Sequence, residues 1–131
     1  MKRDWKIHIV PDETTGLLSG HTHGLDKWGS LEIEINLHLR PEILGQYLNL
    51  VAERIVKGLK IEDGERIEGI FNCPIYFFKT KSVQSEDEVL RVIVPDEEMR
   101  FPWDNDCSES YREQIEPKHI LRRKDIYYER D

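Results

Sequence analysis

The sequence predicts an α+β fold: a mostly antiparallel sheet of five or six strands with one long helix packed on one face, in two layers. Three observations carry that expectation. Residues 31–39 (LEIEINLHL) alternate apolar and polar side chains without a break, which is the period of a half-buried strand. Leu44, Tyr47, Leu48, Val51, Ala52 and Ile55 recur at the spacing of a single helical face. Short runs rich in β-branched residues lie on both sides of this pair and end at proline, glycine or aspartate. A sheet with one apolar face and a helix with one apolar stripe bury each other in two layers. At 131 residues the chain has room for one core, so residues 1–131 read as a single domain, with a core over about 4–115 and a charged tail over 116–131.

The elements follow in order. Residues 5–10 (WKIHIV) form a first strand that Pro11 and Asp12 end. Residues 12–16 turn, and residues 17–25 make a second strand in which Gly20 and Gly24 mark a bulge or a close approach. Asp26, Lys27, Trp28 and Gly29 connect it, as a hairpin turn, to the third strand over residues 31–39. There Leu31, Ile33, Ile35, Leu37 and Leu39 take a dry face, and Glu32, Glu34, Asn36 and His38 take a wet one. Pro41 opens the helix at a position where its missing N–H costs nothing, and Gly58 caps its end. Gly45, inside the helix, suggests a close neighbour. Strands are expected over residues 66–71, 75–80 and 89–94, the last (VLRVIV) being the most apolar and therefore central. A short helix begins near Ser108.

Composition narrows the function. Nineteen Lys and Arg against 26 Asp and Glu give a net charge of −7, which repels phosphate backbones and speaks against nucleic-acid binding. The tail segment 118–125 (KHILRRKD) is a local basic exception. No run approaches the length of a membrane span, and the charged N-terminus lacks the apolar core of a signal peptide, so a cytoplasmic location is expected. Cys73 and Cys107 lack CxxC spacing and read as two free thiols in a reducing compartment. Nor is there a phosphate-cradling glycine loop, an HExxH or a GxSxG.

The stretch SGHTHGLDKWGSLEIEIN holds the candidate site. His21 and His23 point to one face of their strand. A hairpin around the DKWG turn that pairs Leu25 with Ser30 sets His23 opposite Glu32 and His21 opposite Glu34. Two imidazoles with carboxylates form a ligand set for a divalent metal, zinc or iron. The same residues also read as a solvent-facing charge ladder that pins the register, and a slip of one residue dissolves the cluster. Trp28 on the turn, with Phe101 and Trp103 in the FPW segment, is a candidate interaction surface, tryptophan being enriched at binding hot spots; the FPW segment reads equally as an aromatic plug over the sheet. Cys107, in DNDCSES, is a candidate thiol, but its acidic neighbours oppose the lowered pKa that a nucleophile needs.

HTHGL at 21–25, LEIEI, the helix ending near Gly58 and PDEEMRFPWDNDC at 95–107 together resemble a bacterial family, domain of unknown function 4262, over residues 20–114. Many members carry a threonine-rich strand where this chain has His21 and His23, so the resemblance implies that the histidines belong to a subgroup. It implies a small bacterial cytosolic protein and carries no activity or cofactor. The expected function is a non-enzymatic protein-binding or regulatory module, with a protein partner or a homo-oligomer. The alternative is a metal-dependent hydrolase built on His21, His23, Glu32 and Glu34.

Overall fold

The computed structural model describes residues 4–11, 18–37, 39–82, 87–112 and 114. Six strands form one sheet: β1 (Lys6–Pro11), β2 (Leu18–His23), β3 (Glu32–Asn36), β4 (Glu65–Ile67), β5 (Ile75–Lys81) and β6 (Glu88–Ile93). Helix α1 (Pro41–Val56) follows β3, and a single turn of helix, α2 (Glu109–Arg112), follows β6. The strand order is β1-β2-β3-β6-β5-β4. Every neighbouring pair is antiparallel except β3 with β6, and this parallel pair is what the crossover through α1 makes possible. The expected α+β architecture is therefore present. His38, the turn at 12–16 and the tail at 116–131 lie outside the described residues. No helix among the described residues is long and apolar enough to cross a membrane.

Helix α1 covers one sheet face. Leu44, Leu48, Val51, Ala52 and Ile55 are buried against Ile33, Ile35, Phe77, Leu90 and Val92, and Tyr47 packs at the margin. The helix ends in a Schellman motif: the Leu59 amide donates to the Arg54 carbonyl (2.9 Å) and the Gly58 amide to the Ile55 carbonyl (3.0 Å). Gly58 sits at φ 113°, the left-handed conformation this motif requires. Of Gly20 and Gly45, both expected to mark a close approach, only Gly20 does so. A Cβ on Gly45 would meet nothing within 4 Å, whereas one on Gly20 would lie 2.8 Å from Leu48 Cδ1. The close approach is thus helix on strand at Gly20, and Gly45 has no packing reason.

Three elements are shorter or tighter than the sequence suggests, the first being the strand expected over residues 31–39, which is Glu32–Asn36. The strand expected over residues 66–71 reduces to Glu65–Ile67, since Gly69 at φ 96° turns the chain away. The DKWG turn is a 3-10 helix, Leu25–Trp28, bounded by Gly24 and Gly29, both at positive φ.

Candidate functional site

Gly20 faces the helix, so its strand neighbours Ser19 and His21 face the other way. Register then assembles one row across the helix-free face. His8 pairs with His21, His21 with Glu34, Glu34 with Arg91 and Arg91 with Phe78. The row starts among imidazoles at the β1 edge, passes through an ion pair and ends beneath an aromatic cluster.

The middle of the row is dry. Glu34 and Arg91 are both 0% exposed. Glu34 Oε1 accepts from Arg91 Nε at 2.8 Å, and its Oε2 accepts from the Ser82 hydroxyl at 2.5 Å. Arg91 also donates to the Gln114 carbonyl at 3.1 Å. Oriented to satisfy its neighbours, the Asn36 amide donates to Ser19 Oγ (2.7 Å) and accepts from Arg91 Nη1 (3.2 Å). The wet face expected for Glu34 and Asn36 is therefore a buried polar layer. Alternation marks which residues share a face, but it does not distinguish a face open to water from one roofed by polar partners.

The hairpin register matches the sequence count at His21 and Glu34, but the carboxylates do not serve the imidazoles. Glu34 is engaged by Arg91 and Ser82. Glu32 accepts from the Thr22 hydroxyl (2.8 Å) and from the Gly24 (3.1 Å) and Leu25 amides, so its charge stabilises the start of the 3-10 turn. Among the described residues, no group of three or more His, Cys, Asp or Glu side chains is placed to hold a metal ion. In place of the carboxylates a third imidazole joins the pair. The ring of His8 stacks on His21 (centroids 5.2 Å, planes at 7°) and meets His23 edge-on at 5.9 Å. Burial, and next the neighbouring His8, hold the His21 pKa below its usual value against the pull of Glu34.

The far end of the row is aromatic. Phe78 and Ile93 are buried beneath Tyr76, Phe101 and Trp103. Phe101 and Trp103 stack at 5.2 Å, and each meets Tyr76 edge-on at 5.0 Å. A dense set of backbone bonds fixes the loop carrying them. Asp96 accepts from the amides of Glu98, Arg100 and Ser108, each at 2.9 Å. Asp104 accepts from the Phe101 amide at 2.7 Å, and Arg112 donates to the carbonyls of Asp104 and Asn105. Within this loop Met99 holds φ 65° and is 51% exposed. Nothing in the sequence singles out Asp96 as the hub, since Pro95-Asp96 reads only as a strand exit.

Trp28 stands apart from that surface. It packs half-buried on the main core, edge-on to Trp5 at 6.2 Å, and is not a projecting loop tip. It walls a cleft of about 500 Å³ beside the loop after α1, with Leu59, Lys60, Glu62 and Lys79. Cys107 is buried and donates to the Arg100 carbonyl at 3.4 Å. Burial, and then the Asp96 carboxylate, push its thiol up to about 11, the wrong direction for a nucleophile.

No family model, curated protein or solved structure matches the chain.

Proposed function

We propose that this chain is a non-enzymatic protein-binding module whose contact surface is the Tyr76–Phe101–Trp103 cluster with Met99 beside it in sequence. The observation that carries the reading is the mounting of these side chains. Two half-buried aromatic rings and an exposed methionine sit on a loop held by Asp96, Asp104 and Arg112. Methionine and aromatic residues are enriched in protein interfaces, and a loop already ordered loses little further entropy on docking. A non-glycine residue at positive φ is uncommon and costs backbone strain, so exposing Met99 there favours display over packing.

The remaining features fit the same reading. The net charge of −7 would steer a basic protein partner and repel nucleic acid. A bacterial, cytoplasmic origin and membership of the family that HTHGL and the FPW block resemble are consistent with such a module. The hydrolase alternative needs a carboxylate free to act beside the imidazoles, and Glu32 and Glu34 have other partners.

Affinity capture with the full chain tests the reading. Parent, Trp103→Ala and Leu50→Ala proteins are immobilised and compared by quantitative mass spectrometry, Leu50 being an exposed residue of α1. A partner retained by parent and Leu50→Ala but lost with Trp103→Ala is expected. Equal retention by all three would show that the aromatic surface is not the contact.

A further inference from the structure

We infer that His8, His21 and His23 form a binding site for a divalent transition cation that prefers imidazole, closed when the two exposed rings turn onto the half-buried one. The three side chains come from adjacent strands, with His8 directly opposite His21 and His23 two residues further along β2 on the same face. Ring centroids at 5.2 and 5.9 Å lie within reach of a shared ion. Two nitrogens bound tetrahedrally at about 2.05 Å stand about 3.3 Å apart.

The rings do not converge on one point as they stand, because His8 and His21 lie parallel at 7°. Parallel planes send the lone pairs alongside one another. His8 and His23 are exposed, and an exposed side chain changes rotamer within picoseconds to nanoseconds. The fixed partner is His21, whose Nδ1 is buried without a hydrogen-bond partner.

The chemistry favours a cation that takes nitrogen. Both carboxylates that could have turned this patch into an ion-pair ladder are engaged elsewhere, so among the described residues the patch is one of imidazoles. Imidazole suits zinc, copper and nickel, whereas magnesium and calcium prefer oxygen. Three protein ligands leave a position open. This inference does not depend on the aromatic surface.

Zinc titration of the full chain at about pH 7.5, above the ordinary imidazole pKa, tests it, followed by long-range ¹H–¹⁵N spectra of the rings. The ring signals of His8, His21 and His23 are expected to shift together with zinc and to stay in place with magnesium. His8→Asn is expected to weaken zinc binding at least about tenfold with the amide spectrum of the fold preserved, and His23→Asn, also at an exposed position, to do the same. Ring signals that ignore zinc would overturn the site. So would shifts confined to His21 and His23, or zinc binding by both variants as tight as the parent's.

Discussion

Glu34 and Arg91 are the residues on which the helix-free face depends. Both charges are fully buried, so removing one strands the other. Glu34→Gln or Arg91→Met is expected to cost about 3–5 kcal/mol, read from urea unfolding. Replacing both together by apolar residues should restore most of that loss, because the desolvation penalty disappears with the pair. Arg91 was legible as an anomaly: an arginine inside VLRVIV has to find a partner if that run is a central strand. The partner was not legible, since Glu34 lies 57 positions away and alternation alone leaves it on a wet face. His8 was hidden in the same way, because its nearness to His21 needs the β1–β2 register. His21 carries a pH prediction with a definite sign. Its pKa is lowered in the folded chain from 6.5, so the unfolded chain binds more protons just below that value. Its contribution to stability is complete above about pH 6.5 and is lost as pH falls toward the lowered pKa. His21→Gln should flatten the decline in urea midpoint between about pH 7 and pH 5. Cys107, with its thiol pushed up to about 11, should resist iodoacetamide in the native protein at neutral pH and react once urea unfolds it.

At the scale of elements, α1 meets β2 closely at Gly20. A methyl group at residue 20 would meet Leu48 Cδ1 at 2.8 Å. Gly20→Ala should therefore destabilise by about 1–3 kcal/mol through overpacking. Leu48→Ala should cost about 2–5 kcal/mol by leaving a cavity. The double variant should cost less than the sum, because each change relieves the defect of the other, and a thermodynamic cycle from urea titrations measures this coupling. Elements of this kind were well marked in the sequence. The α1 stripe, Pro41 at its start and Gly58 after its end are local signals, and local signals survive into the structure. What escaped depended on tertiary context: β4 stops at Ile67, the DKWG segment winds into a 3-10 turn capped by Glu32, and Gly45 meets nothing.

For the whole molecule, the two faces of the sheet do different things. One is sealed by α1 into the main core. The other runs from imidazoles through a buried ion pair to the aromatic cluster under the Asp96 loop. The sequence named residues at both ends of that row and set His21 opposite Glu34, as the register has it, but it grouped Trp28 with Phe101 and Trp103 and did not bring His8 to the histidines. Side chains far apart in the chain meet only through strand order, and the order β1-β2-β3-β6-β5-β4 is not encoded in any local pattern. In the proposed function the Tyr76, Phe101 and Trp103 surface is covered by a protein partner when the chain works. Hydroxyl-radical footprinting in the native cells and on purified protein is the first test, with Trp5 and Trp28, which pack on the main core, as internal references. Oxidation of Tyr76, Phe101 and Trp103 is expected to fall in cells while that of Trp5 and Trp28 is unchanged. Equal oxidation of the three in both settings would contradict it.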